Sequence, residues 1–152
     1  MIICVVDANV ALKLFFDQPG SDRADAIFTH LTTDDRSRFY VPEFFYAECA
    51  SAFANYVRLA NYSAEQARED MEALVALSLH VVSTADLSSE ALNIALVHHI
   101  SGYDAFYVAL SQRVNAPLIT ADEKLVRAFA NKPYYVQSLS TFEIPPFPDD
   151  MP

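Results

Sequence analysis

The chain has 152 residues, a hydrophobic fraction of 53% and an aromatic fraction of 12%, enough apolar surface to bury one core and to exclude wholesale disorder. A formal charge of −10 from twenty acids against ten Lys and Arg excludes a protein that coats nucleic acid non-specifically, because phosphate affinity comes from basic side chains. No apolar run approaches the roughly 20 residues of a membrane span and no basic leader precedes Met1-Ile2-Ile3-Cys4, so neither a membrane anchor nor a signal peptide is expected.

Residues Ile2 to Val6 read as a short buried strand ended by Asp7, and Asn9 to Phe16 follow with helical spacing. Pro19-Gly20-Ser21-Asp22 breaks the chain with N-cap chemistry before a helix carrying Ala24, Ile27, Phe28 and Leu31. Phe39-Tyr40-Val41 predicts a second strand, and Pro42 suits the first position of a long helix from about Glu43 to Ala60, where its missing amide is harmless. Ser63 and Gln66 form a capping box for the next helix, which predicts a helical hairpin. On that helix Glu65, Glu69, Asp70 and Glu72 read as a solvated face.

His80-Val81-Val82-Ser83 is a weak strand, Leu87 to His99 a helix, and Gly102 a break before a helix from about Tyr103 to Val114. Pro117 to Thr120 predicts a buried strand, Asp122 caps a helix through Leu125 and Phe129, and Tyr134-Tyr135-Val136 predicts a last strand. The expected fold is α/β: one domain over residues 1–142, with a parallel sheet of four or five short strands and helices on both faces. Residues 143–152 form a proline-rich tail with little means of packing by itself. Cys4 and Cys49 lie in apolar surroundings without zinc-like spacing, as buried free thiols of a reducing, cytoplasmic compartment would.

In open parallel sheets, ligands bind beyond the carboxyl ends of the strands. Asp7 and Asp122 each follow a strand at such an edge, and Asp104 begins a helix that can reach it. Glu48 falls on the border of the apolar face of its helix, where a carboxylate needs a cation or a donor. A pair of carboxylates ~5 Å apart repels by about 3 kcal/mol at an effective dielectric near 20, so four together call for a cation. An all-oxygen donor set favours Mg²⁺ or Mn²⁺, and such a site suits phosphodiester hydrolysis.

Plainer readings stand beside this one. Asp7, Asp104 and Asp122 all suit helix N-termini without any function, and capping is compatible with metal binding. Asn9 and Thr120 flank the acids as uncharged oxygen donors, able to hold a ligand or merely a local turn. Lys13, Lys124 and Arg127 lie within a turn or two of the acids, as phosphate-steering or ordinary surface residues, and His30, His80, His98 and His99 share no metal-ligand spacing. An aspartate-nucleophile phosphatase would need a second acid where Asn9 stands, and a catalytically silent binding module would have no use for four acids.

Four segments in this order, Val6-Asp7-Ala8-Asn9, Pro42-Glu43 through Glu48, Tyr103-Asp104-Ala105-Phe106-Tyr107-Val108-Ala109-Leu110, and Leu118-Ile119-Thr120-Ala121-Asp122-Glu123-Lys124-Leu125, resemble the PIN domain family and, within it, the toxin ribonucleases of VapBC toxin-antitoxin pairs. The resemblance spans most of the chain and implies Asp7, Glu48, Asp104 and Asp122 as metal-binding acids, with Asn9 and Thr120 in support. It also implies RNA cleavage with Mg²⁺ or Mn²⁺, a homodimer, and a small VapB-like antitoxin whose tail enters the site. The proline-rich tail is not part of the pattern.

Overall fold

A computed structural model describes residues 1–150. Five parallel strands, β1 (Ile3–Val6), β2 (Arg38–Pro42), β3 (His80–Val82), β4 (Leu118–Thr120) and β5 (Val136–Ser138), form one sheet in the order β3-β2-β1-β4-β5. The chain winds outward from β1 to β3, then crosses back to lay β4 on the other side of β1. That reversal places a topological switch point between β1 and β4, where Val5 pairs with Leu118 and Val6 with Ile119.

Alternation along the strands divides the core between the two faces of the sheet. Cys4, Val6, Phe39, Val41 and Ile119 point to one side, packed with α1 (Ala8–Ala11), α2 (Ser21–Thr33), α3 (Phe45–Leu59) and α4 (Ala64–Val75). Val5 and Leu118 point to the other, packed with α5 (Thr84–His98), α6 (Gly102–Val114) and α7 (Glu123–Ala128). Both cysteines are buried and free, and burial pushes the Cys49 thiol up to about 12.

Several local expectations need correction. Pro42 ends β2, paired with Val82, rather than opening α3, which begins at Phe45. The β1–β2 ladder runs only to Tyr40, so a residue without an N–H at 42 breaks none of its bonds. Asn9 to Phe16 is not one helix: α1 ends at Ala11 and a 3₁₀ turn, Leu12–Leu14, continues it. At the start of α2 the N-cap is Gly20 at φ 91°, with no side-chain cap. α6 opens one residue early, at Gly102, because Ser101 caps it by accepting from the Asp104 amide at 3.1 Å.

Ser63 does accept from the Gln66 amide, but the Gln66 side chain donates to Asp70 Oδ1 at 2.8 Å instead of returning to the cap. Asp70 is therefore not part of a solvated face: it is buried and also takes the Tyr62 hydroxyl. The tail is packed as well. Phe142 and Ile144 lie against the core, the Pro145 carbonyl sits 2.9 Å from His30 Nε2, and the Phe147 ring stacks on His30 at 4.5 Å. His30 on α2 is fully buried, so it supplies the polar and aromatic surface that the tail lacks by itself. Residues 151 and 152 of that tail lie outside the described residues.

Candidate active site

Asp7 leaves the end of β1 at the switch point, its amide bonded to the Ile119 carbonyl at 3.1 Å. Only 6% of it is exposed. Its two carboxylate oxygens are met separately: Oδ1 by the Asn9 amide at 3.4 Å, a cap on α1, and Oδ2 by the Thr120 hydroxyl at 2.9 Å. The Thr120 oxygen in turn accepts from Asn9 Nδ2 at 3.2 Å and from the Asp122 amide at 3.1 Å, while Asn9 Oδ1 accepts from the Ala121 amide at 3.0 Å. Asn9 and Thr120 thus spend their polar atoms locking β1, α1 and the β4–α7 turn together around Asp7.

Asp122 stands just beyond β4 and caps α7, its Oδ1 accepting from the amides of Lys124 and Leu125 at 3.0 and 3.2 Å. Asp104 sits in the first turn of α6 beside its cap, Ser101. Glu48 enters from the first turn of α3, half-buried, and accepts from the Tyr107 hydroxyl at 2.6 Å. Tyr107 also accepts from the Ala8 amide at 3.4 Å. It is 1% exposed, and burial followed by the charges of Asp7 and Glu48 holds its hydroxyl far above the ordinary tyrosine range, so it remains a donor.

Mutual electrostatics tie the four acids into one neighbourhood. Burial first, then the charges of Glu48 and Asp104, push Asp7 up to about 7 against the pull of the Thr120 hydroxyl and the Asn9 amide. Burial and Asp104 raise Glu48; burial and Asp122 raise Asp104. Among the described residues, the ion pairs involve Asp34 and Glu90 and none reaches these four acids. The arrangement is an electronegative rim with oxygen donors only, a set that fits a hard divalent cation. Among the described residues no three His, Cys, Asp or Glu side chains stand together as a ready-made metal cage.

Of the acids singled out from the sequence, Asp7 is joined to the Asp122 turn through Thr120 and Asn9 and to Glu48 through Ala8 and Tyr107, while Asp104 stands one turn before Tyr107 on α6. Tyr107 and Ser101 were missed. The first had a legible signal, since it lies three residues after Asp104 and so shares its face of α6. Lys13 donates to the Pro19 carbonyl at 2.8 Å, and Lys124 is exposed.

Comparison with known proteins finds relatives of this fold. Ribonuclease VapC3 of Pyrobaculum aerophilum is 28% identical over 130 residues, which cover 82% of this chain and 93% of that protein. A crystal structure of a Pyrobaculum aerophilum protein superposes with a TM-score of 0.68 at 18% identity, covering 92% of this chain and 85% of that one. A toxin-antitoxin complex from Klebsiella pneumoniae contributes a chain with a TM-score of 0.65 at 18% identity, covering 93% and 99%. The PIN domain profile matches residues 4–130, which include all four acids. The chain belongs to the PIN domain family.

Proposed function

We propose that this protein is a metal-dependent endoribonuclease that hydrolyses RNA phosphodiester bonds, the toxin of a VapBC-type pair. The observation that carries the reading is the buried Asp7 carboxylate, held at the switch point by Thr120 and Asn9 within the segment that matches the PIN domain, with Glu48 fixed by the Tyr107 hydroxyl that also meets the Ala8 amide and, among the described residues, no ion pair to these acids. The relationship to Ribonuclease VapC3 supports RNA as the substrate, and the fold shared with a toxin-antitoxin complex supports a small antitoxin partner. The resemblance to VapBC toxins extends the reading to a homodimer. No helix among the described residues is long and apolar enough to cross a membrane, which is compatible with work in the cytoplasm.

In this reading Asp7, Glu48, Asp104 and Asp122 hold Mg²⁺ or Mn²⁺. The cation would supply Lewis acidity toward the phosphodiester and the attacking water. The protein's own part is to hold oxygens in place: Thr120 aims Asp7, Tyr107 aims Glu48, Ser101 sets the start of the Asp104 helix, and the α7 amides orient Asp122. Asn9 is engaged with Thr120 and Ala121, which leaves no acid-base group two residues after Asp7 and disfavours a phosphatase built on that aspartate.

The test is RNA cleavage in Mn²⁺ or Mg²⁺, with Asp7→Asn and Asp104→Asn variants checked for folding by circular dichroism. Cleavage is expected to need the metal and to fall by at least a hundredfold in either variant. Full activity in folded variants contradicts the proposal.

A further inference from the structure

A cavity of about 480 Å³ opens beside the acid rim, lined by Lys13, Gly20, Asp22, Arg23, Ala121 and Glu123 among others. Ala121 and Glu123 flank Asp122 in sequence, so the cavity begins where the candidate metal site ends. The volume is ample for one nucleotide. In a chain of charge −10 with only ten Lys and Arg, two cations in one concave place next to a phosphodiester site need an explanation.

Both cations are held by backbone carbonyls rather than by acids. Lys13 Nζ donates to the Pro19 carbonyl, and its stem packs 3.7 Å from where a side chain on Gly20 would begin. Arg23 Nε donates to the Leu139 carbonyl at 2.7 Å and one Nη donates to the Phe142 carbonyl. Among the described residues neither enters an ion pair. Carbonyl bonds orient a cation without cancelling its charge, and a guanidinium with two donors engaged keeps three. Asp22 and Glu123 line the same cavity, so what it offers a phosphate is the local donors of Lys13 and Arg23 rather than a net positive field. Of the acids present, Glu123 takes the Ser138 hydroxyl and Asp22 sits exposed on α2, where either can accept from a ribose hydroxyl.

We propose that this cavity is a subsite for the RNA nucleotide flanking the scissile phosphate, with Lys13 and Arg23 contacting its phosphate. The assignment rests on the nuclease reading for its substrate class, but its test does not depend on cleavage. Binding of a short single-stranded oligoribonucleotide to the full chain is measured by fluorescence anisotropy in EDTA across a salt series. Lys13→Met is expected to weaken binding about tenfold and to reduce the slope of log K against log salt by about 0.7, one phosphate contact on a single strand. Lys13→Arg is expected to restore both. Lys132→Met removes the same charge beside His98 and Phe129 and is expected to leave the slope unchanged.

Equal affinity and slope in wild type and Lys13→Met overturn the subsite, whether or not the protein cuts RNA. An equal loss in Lys132→Met also overturns it, because charge alone and not place would then matter. Binding of hexaglutamate that depends on Lys13, with no oligoribonucleotide binding, overturns it in favour of a pocket for an acidic peptide. Binding of RNA that depends on Lys13 in a protein that never cleaves supports the subsite and removes the nuclease reading alone.

Discussion

The Tyr107 hydroxyl donates to Glu48 Oε1 at 2.6 Å, joining α6 to α3 across 59 residues of sequence. The same oxygen accepts from the Ala8 amide, the first residue after Asp7. One buried phenol thus sets the position of one acid relative to the backbone that carries another. Partners of this kind orient metal ligands, and their loss typically costs 10–100-fold in affinity.

Tyr107→Phe should therefore fold, lose about 1 kcal/mol of stability, and bind Mn²⁺ some tenfold or more weakly by titration calorimetry. Unchanged Mn²⁺ affinity would mean that Glu48 is not a ligand or does not need its donor.

Charge at Asp7 should govern the pH dependence of the metal-free protein. Its folded value of about 7 lies above an unfolded value near 3.9, so the folded state binds the extra proton between them. Its contribution is fully present below pH 4 and is lost as pH rises toward and through 7. Raised Glu48 and Asp104 act in the same direction, whereas His98, lowered by burial, acts against them. Urea midpoints in EDTA should show a steeper loss between pH 4 and pH 7 for wild type than for Asp7→Asn. Equal slopes would contradict burial as the origin of the raised value.

Gly20 holds a backbone conformation at φ 91° that side chains rarely adopt, and an added Cβ would lie 3.3 Å from Leu139 Cδ2. Gly20→Ala should cost about 1–2 kcal/mol, read as a lower urea midpoint with an unchanged m-value. A neutral result would show that the turn relaxes freely.

Removal of residues 143–152 takes Ile144, the Pro145 carbonyl and the Phe147 ring off α2 and the core. The melting temperature should drop by several degrees, since about 1 kcal/mol is worth roughly 2–4 °C in a domain of this size. A truncated protein as stable as the full chain would return the tail to a passive extension.

The fold was legible because short β-branched strands alternate with amphipathic helices, and Asp7, Asp104 and Asp122 drew attention because each follows a strand or begins a helix near the same sheet edge. Glu48 required a helical-wheel count, and its half-buried place on α3 agrees with that count. What escaped was decided by contacts between distant segments. Nothing near Asp70 announces that Tyr62 and Gln66 will enclose it. A proline-rich tail reads as unpacked until His30, more than a hundred residues earlier, meets it. Pro42 fits a helix start and a strand end equally well, and the short reach of the β1–β2 ladder settles the matter.

The central claim is that Asp7, Glu48, Asp104 and Asp122 jointly hold a divalent cation. Anomalous diffraction from a crystal soaked in Mn²⁺ tests it most directly. The account predicts a manganese peak among these four carboxylates, lost in Asp7→Asn. A well-ordered crystal with no peak there, or with manganese only elsewhere, would contradict it.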